Sequence, residues 1–286
     1  MTILAEPLEQ TEPAPPRPAR RRPRGRLGDR LLFAYTWLIV VWLMVPIAVM
    51  ILFGFNDLPP RAKYNQHFQG FTLRWYTKVF DIADLTTALL HSLEIAVCST
   101  IISCVLGTMI GLALGRYRFR GQGVANLVMF ATISSPEIIM GASLLTLFIT
   151  SNTPMGFATV LFAHVMFSLS FVAIVVRSRV LTLDRYIEEA ARDLGAGAFT
   201  TFRLVTLPMI FPAVLAGALL SFALSVDDFV ITSFVRGGSY QTFPVWIWGA
   251  TKIGIPPEVN VMGTLIFVAG LLLAGINAVV ARRRAR

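Results

Sequence analysis

The sequence predicts an all-α membrane protein with six transmembrane helices in one domain. Three observations predict it: the composition, the length of the uncharged runs and the placement of the arginines. Of 286 residues, 55% are hydrophobic and only 14% charged. The mean hydropathy of +0.68 is too high for a surface facing water throughout. A bilayer core about 30 Å thick takes roughly 20 apolar residues per helical span, because lipid offers the backbone no hydrogen-bond partner outside the helix itself.

The elements follow in order. Residues 1–30 are rich in Pro, Arg, Ala and Glu and have no apolar centre, so a disordered basic tail is expected there. Residues 31–286 then form the membrane domain. Leu31 to Phe55 carries no charge; it is far longer than a signal-peptide core, and no small-residue cleavage site follows it, which predicts a retained helix. Ile95 to Gly115, also uncharged, is the second span. A third follows Gly121 and holds one charge, Glu137, with Pro136 beside it as a kink; the apolar run breaks at Thr150–Gly156 and resumes from Phe157 to Val176 as the fourth. The fifth runs from about Met209 to Val235 with Asp227 and Asp228 inside it, and the sixth from about Val259 to Ala281.

A net charge of +9 raises the question of nucleic acid, but where the cations fall matters more than their sum. With the N-terminus inside, nineteen of the 25 lysines and arginines lie on the inner side: in the tail, after span two, around the loop between spans four and five, and at the C-terminus. Arg61, Lys63, Arg74, Lys78, Arg236 and Lys252 lie outside. This asymmetry places both termini in the cytoplasm, and the basic arms read as topology signals touching anionic lipid, with no nucleic-acid partner. Cys98 and Cys104 sit six apart on one helix and read as buried free thiols. His67, His91 and His164 occupy unrelated positions without metal-site spacing and receive no chemistry.

The most informative segment is the polar, helix-prone loop 184–208. Asp184 is placed to cap a helix carrying Glu188 and Glu189 in its early turns, where carboxylates suit the positive end of the dipole; Gly195 permits a sharp turn, and a second short helix follows. The order is Glu189-Ala190-Ala191, three residues, Gly195, nine residues, then Val205-Thr206-Leu207-Pro208. This spacing resembles the cytoplasmic signature of ABC importer permeases, with Val205 where Ile is commoner. The resemblance implies the type I ABC importer permease fold, and it implies that Glu188, Glu189, Ala190, Ala191, Asp193, Leu194, Gly195, Leu207 and Pro208 contact or shape the contact with an ATPase subunit. The alternative is an ordinary amphipathic linker. No G-x-x-x-x-G-K-[ST] loop occurs in the chain, so it is expected to be non-catalytic and without a cofactor of its own, ATP and magnesium being held by the partner ATPase.

Over roughly residues 30 to 280 the chain also resembles the spermidine/putrescine (PotC-like) branch of these permeases. Gly70-Phe-Thr-Leu-Arg-Trp-Tyr76, His91-Ser-Leu93, Arg116-Tyr-Arg-Phe-Arg-Gly121, Ser135-Pro-Glu137, Leu224-Ser-Val-Asp-Asp-Phe-Val230 and Gly254-Ile-Pro-Pro-Glu-Val-Asn260 carry the likeness. It implies a bacterial inner-membrane complex with a second, PotB-like permease, a PotA-like ATPase pair and a PotD-like external binding protein.

A cationic cargo suits the residues, since an ionisable group inside a span is costly and functional by default. Glu137 and Asp227 each lie 16 residues from the inner end of their span, about 24 Å along a straight helix. Glu137, Asp227, Asp228, Phe229 and Trp246 are therefore the candidate substrate pathway. For Asp227 and Asp228 the alternative is capping where the span ends, for Glu137 a structural bond to neighbouring helices, and for Trp246, as for Trp75, Tyr76 and Trp248, anchoring at the membrane surface. Rival importer cargoes are opines or other amines, thiamine, iron and oxyanions; the carboxylates disfavour the oxyanions. A stand-alone channel or membrane enzyme would need features absent from the sequence.

Overall fold

The computed structural model describes residues 26–59, 65, 67–238 and 240–284, with the side chains of 26–27, 273–274 and 276–284 outside that description. Residues 1–25 of the expected tail lie outside the described residues. By contact the chain divides into Met1–Val49 and Met50–Arg286. The first unit contains most of α1 (Arg26–Gly54), which begins five residues before the expected start of the membrane domain. Within it Phe33 and Trp37 meet edge to face at 6.2 Å, and the Thr36 hydroxyl donates to the Leu32 carbonyl one turn back.

The second unit holds α2 (Arg74–Thr77), α3 (Ala83–Arg116), α4 (Gln122–Ser134), α5 (Glu137–Thr150), α6 (Phe157–Thr182), α7 (Tyr186–Asp193), α8 (Ala198–Thr201), α9 (Leu207–Asp227), α10 (Val230–Val235), α11 (Phe243–Thr251) and α12 (Pro257–Arg284). A π-helical turn, Phe202–Thr206, joins α8 to α9 without a break. Among the described residues the only extended pairing is the single antiparallel bridge between Asn56 and Phe71.

Among the described residues four helices are long and apolar enough to cross a membrane: α1, α3, α6 and the continuous 198–227 segment. The pair α4 and α5 makes a fifth candidate, bent by 109°. The sixth expected segment is α12, whose apolar stretch Pro257–Leu272 is shorter. The expected kink in span three is thus a full break. Pro136 has no N–H and its ring disfavours helical backbone in the residue before it, so Ser135 is extended (φ −73°, ψ 133°) and α4 ends there. The 24 Å measured along a straight helix therefore does not apply to Glu137. Span five is also shorter than expected: α9 stops at Asp227, Asp228 is extended (φ −65°, ψ 118°), and Val230–Val235 forms a separate helix. The second span starts twelve residues earlier than expected, at Ala83. Cys98 and Cys104 are half-buried free thiols, less enclosed than expected.

Helices α3, α6 and α9 form the centre of this unit, α3 lying along α6 over the longest contact. Small residues at intervals of four permit that approach. A Cβ on Gly107 would lie 2.8 Å from Val172 Cβ, one on Gly111 2.8 Å from the Ala173 carbonyl oxygen, and one on Gly115 2.7 Å from Val180 Cγ1. In lipid the hydrophobic effect gives helices little reason to associate, so close van der Waals packing along such a stripe carries the interface. Val172, Val176 and Val180 continue from it into a buried cluster with Ile210 of α9. The segment before α3 is ordered around buried Asn56, whose carbonyl accepts from Trp75 Nε1 at 2.7 Å and whose Oδ1 accepts from the Gln69 N–H at 2.7 Å. Trp75 and Tyr76, expected as surface anchors, pack against the cluster of Val79, Leu85, Val259 and Met262.

Candidate functional site

Loop 184–208 folds as two short helices around a left-handed turn. The Asp184 carboxylate accepts from the Tyr186 N–H at 3.0 Å, at the start of α7. At its other end the Gly195 N–H donates to the Arg192 carbonyl (2.8 Å) and the Ala196 N–H to the Ala191 carbonyl (3.1 Å). This paired closure needs a left-handed residue after the cap, and Gly195 supplies it at φ +87°. Asp193 is the last residue of α7. Further on, the Leu207 N–H bonds the Phe202 carbonyl five residues back. Pro208 explains that wider turn, since it has no N–H for an ordinary helical bond and its ring would meet the carbonyl four residues before it. Leu207 packs on the Val172–Ile210 cluster, while Pro208 is exposed.

The loop has two chemically distinct sides. Glu188 points inward: Arg116 Nη2 donates to its Oε1 at 3.0 Å and the Thr206 hydroxyl donates to the same oxygen at 2.9 Å. The Arg116 and Glu188 side chains are only 9% and 16% exposed. Arg116 also donates from Nη1 to the Leu183 carbonyl, and Arg185 donates to the Arg116 carbonyl. One carboxylate thereby ties α7 to the end of α3 and to the π turn. On the other side Glu189 and Ala190 are exposed, with Ala191 half-buried between. Nearby in the sequence Tyr186, Leu194 and Phe199 are exposed by 75, 89 and 72%, left uncovered by the other described residues.

The intramembrane carboxylates gather at the two helix breaks. Glu137 opens α5 and is exposed; Asp227 closes α9 and is exposed. The two breaks are brought together by packing, since α10, which follows Asp227 and Asp228, lies against α5, which Glu137 opens. Helix α10 completes the arrangement by packing on α5 and α6. Asp227, Phe229 and Trp248 line a cavity of about 520 Å³ whose remaining wall is mostly apolar, with Phe243, Ile247 and Ile266. The Phe229 and Trp248 rings lie 5.2 Å apart. Trp246 lines a different cavity, of about 420 Å³, with Ile82, Gln241 and Pro256.

Asp228 is unlike its neighbour. Its side chain is 6% exposed. It accepts from the Ile231 N–H (3.3 Å), the Thr232 N–H (2.8 Å) and the Thr232 hydroxyl (2.6 Å), which caps the first turn of α10. The capping alternative describes these bonds. His164 Nε2 adds a contact at 3.3 Å.

Sequence reasoning missed Arg116 and Thr206 as partners of Glu188, His164 as a partner of Asp228, Trp248 as the aromatic residue beside Asp227, and the glycine stripe on α3. His164 carried a usable signal, since an imidazole inside a span is costly unless bonded. Gly107, Gly111 and Gly115 carried one in their spacing of four. Arg116 and Glu188 lie 72 residues apart, and nothing local pairs them.

Residues 107–286 match the family described as binding-protein-dependent transport system inner membrane component. The chain belongs to that family. Over 260 residues this permease is 38% identical to the spermidine/putrescine transport system permease protein PotC of Escherichia coli K12, covering 91% of this chain and 97% of the relative. It is 37% identical over 246 residues to the putrescine transport system permease protein PotI of the same strain, covering 82% and 86% of the two chains. The fold is that of a solved bacterial ABC transporter involved in the import of the acidic polysaccharide alginate, at a TM-score of 0.63, 16% identity, and coverage of 91% of this chain and 98% of that one. The permease is therefore an all-α, multi-pass membrane subunit of the ABC importer class.

Proposed function

We propose that this permease carries polyamines inward as one half of a transmembrane pathway driven by a separate ATPase pair. The observation that carries the reading is Asp227, exposed at the break in one span and lining a cavity walled by Phe229 and Trp248, with Glu137 exposed at the break in another. An alkylammonium group leaving water needs its hydration replaced, and a carboxylate with aromatic faces nearby does this for a cation and not for an anion. At about 4 Å and an effective dielectric near 20, one such pairing is worth about 4 kcal/mol before desolvation. The names of the relatives, spermidine and putrescine permeases, point to the same cargo class.

The exposed side of loop 184–208 supports the coupling half of the reading. Ala190, Leu194 and Phe199 offer small and apolar surface, and Glu189 an exposed carboxylate, to a groove on a PotA-like ATPase, with Gly195 shaping the turn between the two short helices. Glu188 and Leu207 act from the inner side, holding the loop to the bundle. A PotB-like second permease would supply the facing half of the pathway, and a PotD-like binding protein the cargo. The arginine asymmetry supports an orientation with both termini and this loop in the cytoplasm.

The test is uptake of labelled spermidine by membrane vesicles carrying the full transporter. Glu137→Gln combined with Asp227→Asn is expected to lower uptake at least tenfold at normal assembly. Uptake at the parent rate rejects the pathway.

A further inference from the structure

The break between α9 and α10 is spanned by one side chain that the transport reading leaves unused. His164, the eighth residue of α6, is 3% exposed. Its Nδ1 lies 2.7 Å from the Ser225 hydroxyl, two residues before α9 ends. Its Nε2 lies 2.8 Å from the Thr232 hydroxyl and 3.3 Å from Asp228 Oδ2, both beyond the end of α9. Ser99 of α3 donates to the Ser225 oxygen at 3.1 Å. The ring therefore bridges the two sides of the gap from a third helix, and a fourth joins through Ser99.

One proton follows from the geometry. The Thr232 hydroxyl hydrogen is spent on Asp228 at 2.6 Å, so His164 Nε2 is the donor in its contacts with Thr232 Oγ1 and Asp228. Nδ1 meets the Ser225 hydroxyl, and the Ser99 hydrogen is shared between Ser225 and the Ala96 carbonyl. Every polar atom in the group finds a partner. A buried network satisfied in this way holds its members in one arrangement.

We propose that His164 is a positioning residue of the transport pathway, clasping the gap so that Asp228 is committed to the fold and Asp227 alone of the pair faces the cavity. Two adjacent carboxylates thereby take different work. Asp228 receives hydrogens from two backbone amides, a hydroxyl and an imidazole, enough to keep it inside the protein. Asp227 lines the 520 Å³ cavity, and Asp228 does not. Only the consequence for uptake rests on the transport reading; the clasp itself is a statement about geometry.

The experiment uses the full transporter in lipid nanodiscs, with Cys98 and Cys104 replaced by Ser and Asp227→Cys introduced. The probe is a trimethylammonium methanethiosulfonate, and the readout is its rate of reaction with the new thiol. Adding His164→Leu is expected to slow labelling at least tenfold. His164→Gln, whose amide can still donate to Asp228, is expected to recover most of the rate. A His164→Leu rate within threefold of the parent overturns the proposal, as does a His164→Gln rate no better than that of His164→Leu. Should His164→Leu fail to assemble, Ser225→Ala and Thr232→Val each remove one end of the clasp and are expected to slow labelling severalfold; unchanged rates in both overturn it equally. Failure of the transport reading looks different: Asp227→Asn then takes up spermidine at the parent rate while labelling still depends on His164.

Discussion

Removing the Glu188 carboxylate tests how loop 184–208 is fastened. Glu188→Ala deletes the bonds to Arg116 (3.0 Å) and to the Thr206 hydroxyl (2.9 Å), and it leaves the guanidinium enclosed without its counter-charge. Breaking a fully buried pair from one side costs about 3–5 kcal/mol. At 9% and 16% exposure this pair is nearly but not wholly sealed, so the lower end, about 3 kcal/mol, applies. Because tenfold corresponds to about 1.4 kcal/mol, the docked position of α7 is expected to lose roughly two orders of magnitude in population relative to the loose one. Glu188→Gln keeps an acceptor for Thr206 and loses only the charge, for about tenfold. Hydrogen exchange of the α7 amides in the nanodisc-held transporter reads this directly, and ATP hydrolysed per spermidine taken up reads its consequence. Both are expected to rise, more for Ala than for Gln. The α7 amides of Glu188→Ala exchanging within threefold of the parent would refute the reasoning, because the carboxylate would then not be holding the helix down.

Gly195→Ala places a side chain on a residue at φ +87°, for a cost of about 1 kcal/mol; more ATP hydrolysed per substrate is expected, with uptake lowered severalfold. Gly111→Leu drives a side chain into the Ala173 carbonyl, 2.8 Å from the first added carbon, and overpacking of about 1–3 kcal/mol should appear as a lower melting temperature of the detergent-solubilised subunit. The two tryptophans separate the cavities: Trp248→Ala is expected to reduce spermidine uptake several times more than Trp246→Ala, measured in vesicles at matched expression, since only Trp248 shares a cavity with Asp227.

Much of the fold could be read from the chain because lipid imposes length and polarity rules on each span separately. Leu31–Phe55 runs only one residue past the end of α1, and Phe157–Val176 lies wholly inside α6. The errors lie at the breaks. Pro136 announced a disturbance, yet its size depends on what α5 packs against, chiefly α10. The end of α9 at Asp227 had no proline or glycine to mark it; it became visible only once the Asp228 carboxylate was seen capping α10. Loop 184–208 was legible as a motif because its turn is local: Gly195 and the carbonyls it closes on lie within five residues. The anchoring of that loop was not, since Arg116 arrives from another helix, and the same holds for His164 and Asp228. The chain also offered two tryptophans two residues apart without saying which stands beside Asp227. On a helix, neighbours at that spacing face different directions, and the orientation of α11 decided it.

The segment from Ala198 to Asp227 is one continuous helical stretch of thirty residues that runs through the π turn. One residue added within a regular turn after Thr206 would rotate everything downstream by roughly 100°, swinging Ile210 out of its cluster and turning Asp227 from its cavity together. A π turn holds one residue more than an ordinary helical turn, so Phe202–Thr206 is the place where this segment can differ in length by a single residue.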